Sequence, residues 1–478
     1  MKTPLFDAMV ALAEEKKVSF HTPGHKSGKG ISTRFKKFVG PKIFSIDLTT
    51  LDEVDSLQRP RSVIKYAQEL AAKAYGADRS YFLVNGTTGG NHAMLLASCR
   101  PGDKILVARN IHKSVVAGLI LSGADPIFFS PSVDDDLKIV LNVSSEKVKD
   151  VIDKHPDARA IFITSPNYYG ICADNLPEII SYASKRGLIT LVDEAHGPHL
   201  KFHPDLPVSA LESGADLCVQ STHKIIGGMT QASILHAKAG RIDFTTLSRV
   251  LRFIQTTSPS YILMASLDLA RMQMATEGKK LLDRAIRLAD NARTGINKIK
   301  GLSCPGRELD WELDVTKLTI TVKDIGISGY EVAKILNREY NIQVEMADPF
   351  HILVIVSIGD RRDDLIHLVS ALKDIADKYY AKAKSLILDH ILIIPEQEQL
   401  LSPREAFFSG HEYVELEKGV NRVNSDIITV YPPGIAILIP GEIIYKEIIE
   451  YIKKVLQLGA IVDGLDERNN FIGVVKER

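Results

Sequence analysis

The chain has 478 residues, with 59 Lys and Arg balanced by 59 Asp and Glu, 45% hydrophobic residues and 25% charged ones. That length holds several domains and a substantial core, and the composition is that of an ordinary globular protein. A net charge of zero excludes the global basic field that collects nucleic acid or anionic lipid, so partners are expected among small molecules and copies of the same chain.

In chain order, Leu5, Met9 and Leu12 stand at helical spacing after Thr3 and Pro4, which predicts an amphipathic helix at the N-terminus. Glu14, Glu15, Lys16 and Lys17 fall where a signal peptide would keep its apolar run. No apolar run approaches the ~18 residues of a membrane span. The cysteines Cys99, Cys172, Cys218 and Cys304 are scattered, without C-x-x-C pairs or zinc spacing. A soluble, unexported, cytoplasmic protein is the expectation.

From about residue 60 to 240, short β-branched runs alternate with helical stretches, the pattern of an α/β fold with a mostly parallel sheet covered by helices. Strands are predicted at 81–84, 105–108, 126–129, 160–164, 189–193 and 217–220, and helices at 61–75, 89–98, 145–154 and 177–185. Most of these strands are continuously apolar, as strands buried on both faces are. A long helix over 261–298 is followed by strands at 318–322, 342–345 and 352–356 and helices at 329–339 and 363–381, which reads as a smaller α+β domain. The remainder carries its own punctuation at Tyr431-Pro432-Pro433-Gly434 and Pro440-Gly441 and a helix near 443–456. The chain divides into an N-terminal segment (1–55), a large domain (56–300), a small α+β domain (301–383) and a C-terminal domain (384–478).

Ligands of such sheets lie beyond the carboxyl ends of the strands. Asp193, in Leu191-Val192-Asp193-Glu194-Ala195-His196-Gly197, ends a very apolar strand, where a carboxylate needs a cationic partner; a helix cap or surface loop is the other reading. Lys224, in Gln220-Ser221-Thr222-His223-Lys224, follows the next strand. Alone it reads as a solvated loop lysine. Paired with Asp193 it fits pyridoxal phosphate (PLP) chemistry, in which the amine forms a Schiff base and the carboxylate keeps the pyridine nitrogen protonated. Asn85-Gly86-Thr87-Thr88-Gly89-Gly90 opens a helix after the first strand, so free N–H groups, a helix dipole and two hydroxyls converge as a phosphate cradle, or form only a flexible turn. His112 lies past another strand, as a stacking or a structural imidazole. His196, His199 and His203 stand close together, but Pro198 breaks helical spacing, and no metal is expected.

The chain resembles the Orn/Lys/Arg decarboxylases, PLP-dependent enzymes of the aspartate aminotransferase superfamily (fold type I). The resemblance runs through His21-Thr22-Pro23-Gly24-His25-Lys26, Asp47-Leu48, Asp55-Ser56-Leu57, Phe82 to Gly90, Asp193 to Gly197, Ser221-Thr222-His223-Lys224 and Tyr431 to Ile435. It implies that Lys224 carries the Schiff base, Asp193 partners the pyridinium nitrogen and His112 stacks on the ring. It further implies that Gly86, Thr87, Thr88, Ser221 and His223 surround the phosphate, with His223 also in the catalytic set, and that His196 lies beside the ring near its phenolic oxygen. A homodimer is implied, with Thr256, Thr257 and Ser258 reaching the neighbouring subunit's phosphate.

Two positions depart from the family pattern: Ile225 where Thr is frequent and Ala436 where Pro is. The chain looks like the short form without a wing domain, which resembles biosynthetic arginine decarboxylases. Arginine converted to agmatine is therefore the expected reaction, with lysine and ornithine open. Asp47, Asp52, Glu53 and Asp55 are candidates for the substrate's distal cation, or form a solvated loop. A fold-type-I aminotransferase or β-eliminating lyase is the competing enzyme class, and a PLP-sensing module lacks any DNA-binding segment here.

Overall fold

A computed structural model describes residues 2–380, 397–431 and 434–476. The N-terminal helix α1 (Pro4–Glu14) buries Leu5, Met9 and Leu12, the predicted stripe. It packs with α2 (Val63–Tyr75) on one face of a seven-stranded sheet.

That sheet and its crossovers follow in order as β1 (Arg79–Leu83), α3 (Gly86–Ser98), β2 (Lys104–Ala108), α4 (Lys113–Ser122), β3 (Asp125–Phe129), α5 (Ser145–Lys154), β4 (Ala160–Thr164), α6 (Leu176–Lys185), β5 (Ile189–Asp193), β6 (Leu217–Gln220), β7 (Ser233–Ala237) and α7 (Phe244–Ile254). The spatial order is β1-β7-β6-β5-β4-β2-β3, and β7 alone runs antiparallel to both neighbours. Every residue of β4, β5, β6 and β7 is buried. Two apolar clusters explain this: one under α1 and α2, the other under α3, α4 and α7.

α3 starts three residues earlier than predicted, and β7, α4 and α7 escaped the sequence reading. α4 buries residues on several sides, α7 buries Leu247 and Leu251 on a single stripe between polar residues, and β7 carries Ser233 and His236 inside an otherwise apolar run. Helix α8 (Tyr261–Ile296) begins in the first core and ends in another, built on β8 (Lys317–Thr321), α9 (Gly329–Tyr340), β9 (Met346–Ala347), β10 (His351–Ile355) and α10 (Arg362–Tyr380). The strand expected at 342–345 is displaced to β9, because Met346 and Ala347 are the residues that pair with β10.

The same apolar cluster continues into strands β11 (His411–Glu415), β12 (Ile428–Tyr431) and β13 (Ile435–Leu438), helix α11 (Lys446–Gln457) and strands β14 (Ile461–Asp463) and β15 (Phe471–Val475). Of the Tyr-Pro-Pro-Gly punctuation, Pro432 and Pro433 lie outside the described residues. Among the described residues no helix is long and apolar enough to cross a membrane.

Candidate active site

The sheet delivers its polar residues to one edge. β5 ends at Asp193, β6 at Gln220 just before Ser221, β2 four residues before His112, and β1 just before the helix opened by Gly86. Asp193 is 3% exposed. Its Oδ1 accepts the Ala195 N–H at 3.0 Å and its Oδ2 the Asn91 side-chain amide at 2.8 Å. Burial pushes its pKa up, while Asn91 and the Lys224 charge pull it back. Among the described residues no cation lies within ion-pair distance of Asp193, so the edge holds a buried acid short of a counter-charge.

Lys224 stands in the short helical turn after β6 and is half-buried. Its Nζ lies 2.8 Å from His196 Nε2 and 5.5 Å from the centre of the Tyr168 ring, which meets His196 edge-on. Burial depresses the lysine pKa, and Asp193 and Glu345 oppose that. His112 caps α4: its Nδ1 accepts the Ser114 N–H at 3.2 Å and lies 2.8 Å from the Ser114 hydroxyl. Burial and the Lys224 and Lys113 charges lower its pKa to about 4, so the ring is neutral at physiological pH. Asn91 also donates to Ser114 Oγ at 2.9 Å, so one side chain ties Asp193 to the His112 cap.

At the start of α3, Asn85 supplies no side-chain cap, and Gly86 takes φ +65°, a conformation that glycine adopts freely. Thr87 Oγ1 hydrogen bonds with the hydroxyls of Ser221 and Ser233. Thr222 Oγ1 is buried without a partner among the described residues, Thr88 is exposed, and His223 Nδ1 lies 3.1 Å from the Ala232 carbonyl. An uncapped helix N-terminus ringed by hydroxyls suits a phosphate. Gly90 lets α3 approach: a Cβ there would lie 2.3 Å from Val219 Cγ2.

The remaining candidates separate. Asp55 accepts backbone N–H groups of Arg61, Ser62 and Ile64 and is spent on the start of α2. Asp47 pairs with His25, Glu53 with Lys17, and Asp52 is exposed. Thr256, Thr257 and Ser258 are exposed on the loop between α7 and α8. The three clustered histidines face different partners: His196 the two lysines Lys224 and Lys317, His199 Asp314, and His203 Asp283. Asn91, Ser114, Tyr168, Ser233 and Lys317 were missed by the sequence reading. Tyr168 stands four residues past the end of β4, as His112 does past β2, and Asn91 directly follows the Gly-Gly pair; these two places were usable signals.

Residues 3–364 match the family description "Orn/Lys/Arg decarboxylase, major domain", and residues 392–476 match its C-terminal domain. The chain is 41% identical to an arginine decarboxylase of Bacillus anthracis over 482 residues, covering 100% of this chain and 98% of that protein. It is 40% identical to an arginine decarboxylase of Bacillus subtilis (strain 168) over 484 residues, with the same coverage. The inducible lysine decarboxylase of Escherichia coli (strain K12) is 26% identical over 97% of this chain and 78% of its own length. Among solved structures, the lysine decarboxylase of Francisella novicida superposes with a TM-score of 0.85 at 24% identity, over 99% of this chain and 81% of that one. An alanine–glyoxylate aminotransferase of Nostoc shares the fold at 0.55 and 19% identity, over 67% and 88%. The sheet is thus that of the fold-type-I enzymes, and the chain belongs to the Orn/Lys/Arg decarboxylase family.

Proposed function

We propose that the chain decarboxylates a basic L-amino acid, arginine to agmatine first, with PLP held at the strand ends and joined to Lys224. The observation that carries the cofactor is Asp193: a carboxylate only 3% exposed, fixed by two hydrogen bonds and, among the described residues, without an ion-pair partner, is matched by a pyridinium nitrogen. Similarity to arginine decarboxylases along the whole chain favours arginine over lysine and ornithine.

When bound, PLP supplies an electron sink for the pair left behind by departing CO₂. Asp193 holds a proton at the ring nitrogen, and Asn91 keeps its carboxylate aimed. The neutral His112 imidazole offers a flat face without adding positive charge to the site. Gly86, Thr87, Thr88, Ser221 and the N-terminus of α3 hold the phosphate, with the Thr222 hydroxyl free to donate and His223 beside it. His196 stands at the amine of Lys224. The exposed loop at Thr256, Thr257 and Ser258 is offered to a second subunit in a homodimer, and the enzyme works in the cytoplasm.

The test is to incubate the protein with PLP and arginine, lysine or ornithine, and to measure CO₂ and the amine formed. Agmatine with stoichiometric CO₂ is expected. Keto acid without CO₂ would overturn the decarboxylase reading in favour of an aminotransferase, and cadaverine or putrescine would reassign the substrate. Lys224→Ala should lose the visible absorption band of the loaded protein.

A further inference from the structure

His196 lies between two lysines. Its Nε2 is 2.8 Å from Lys224 Nζ and its Nδ1 is 2.8 Å from Lys317 Nζ. His196 is 2% exposed and Lys317, on β8, is 1% exposed. The β8 position is set firmly: the Lys317 stem packs against Gly170 so closely that a Cβ there would come within 2.7 Å of it. Among the described residues Lys317 has no carboxylate within ion-pair distance, and His196 is the hydrogen-bond partner of its side chain.

Donor and acceptor counting then constrains the protons. A neutral imidazole has one N–H and one lone pair, and an ammonium group only donates. Two ammonium groups cannot both be served by one neutral ring, and burial above all keeps His196 from protonating. One lysine is therefore a free amine that accepts from the ring.

The surroundings decide which. Lys317 is faced by Asp314, Glu345, Lys224 and His196; Lys224 by Asp193, Glu345, Lys317, His112, His196 and His223. Burial lowers the Lys317 pKa to about 8, and Asp314, fully buried on the segment leading into β8 and paired with His199 at 3.2 Å, is the carboxylate that most opposes this. Asp193, the attractor for Lys224, is the group a cofactor ring takes over.

We propose that Lys317 is a positioning residue: by donating to His196 Nδ1 it fixes the Nε2–H tautomer, and that N–H holds Lys224 Nζ as an uncharged nucleophile. This rests on the assignment of Lys224 to the cofactor. An uncharged amine is what condensation with an aldehyde requires, since the nitrogen lone pair forms the C=N bond and the carbonyl oxygen leaves as water with both amine hydrogens.

The experiment follows the growth of the visible band when PLP is added to the cofactor-stripped full-length chain, as a function of pH, in wild type, Lys317→Met and Lys317→Arg. The midpoint at which the amine becomes reactive should move up by at least about one pH unit in Lys317→Met, with capture at pH 7 slowed about tenfold or more. Lys317→Arg, which keeps charge and donors, should hold the wild-type midpoint. A Lys317→Met midpoint equal to wild type overturns the proposal, as does an equal displacement in both variants, which marks a packing effect. ¹⁵N NMR of His196 in the stripped wild type should show the proton on Nε2; a proton on Nδ1 also overturns it. A wild type that forms no band at any pH overturns the Lys224 assignment itself.

Discussion

Asn91 shows how a residue with no chemistry of its own governs a site. Its amide nitrogen donates to both Asp193 and Ser114, so the strand-end acid and the His112 cap share one anchor. Asn91→Ala should lower turnover roughly 10- to 100-fold, the 1.5–3 kcal/mol of a hydrogen bond to a charged group, without abolishing the visible band. Steady-state kinetics beside absorbance checks this. Buried His236 sits between Ser80 Oγ and Gln220 Oε1, and burial lowers its pKa to about 3. The unfolded chain takes up a proton near pH 6.5 that the folded chain refuses, so this stability term is complete above about 6.5 and lost as the pH falls toward 3. Thermal midpoints against pH should show a shallower acid decline for His236→Gln, which keeps a donor toward Gln220 and an acceptor toward Ser80. Asp193 and Lys224 stood out as candidates because one ends an apolar strand and the other follows the next strand by four residues. Asn91, inside a helix, and Lys317, inside a strand, carry no such mark, since only their neighbours in space give them a role.

At the scale of elements, α3 is the piece whose placement the site depends on. Its N-terminus carries no side-chain cap from Asn85, although the Gly86 N–H donates to the Gln231 carbonyl, and its approach to the sheet is set by Gly90 against Val219 and Leu83. Gly90→Ala should force the helix outward, destabilise the fold by about 1–3 kcal/mol and weaken PLP binding. Gly89→Ala, whose Cβ would meet Asn85 Cβ at an ordinary 3.5 Å, serves as the control. Thermal denaturation and cofactor titration separate the two. Asp55 does for α2 what a cap does, accepting several N–H groups at once, and Asp55→Ala should cost about 1–2 kcal/mol in urea unfolding. Periodicity located α1 and the parallel strands well. It failed at β7, where Ser233 and His236 interrupt the apolar run, and at β9, because pairing with β10 rather than local propensity selected the residues.

At the scale of the whole molecule, α8 runs from the large core into the one shared by the C-terminal elements, so the two halves are not independent layers. Arg109, just past β2, donates to the Ala436 and Ile437 carbonyls and pairs with buried Glu442 at 3.1 Å. Burial raises the pKa of Glu442, and Arg109 is the charge that opposes it. Arg109→Ala should destabilise by about 3–5 kcal/mol, because a buried carboxylate loses its cation. Urea unfolding measures the loss, and limited proteolysis should find the C-terminal segment cut faster.

The sequence by itself determined the α/β class, the order of the parallel strands along the chain and the residues at their carboxyl ends, because hydrophobic period and strand-end polarity are local. It also carried the family, since those end residues recur as a set. Only the tertiary structure decided that Asp55 is spent on a helix start, that the clustered histidines face different partners, and that Lys317, some ninety residues along the chain from Lys224, meets the same imidazole. Those outcomes depend on which elements pack side by side, and one strand's sequence does not encode its neighbour across the core.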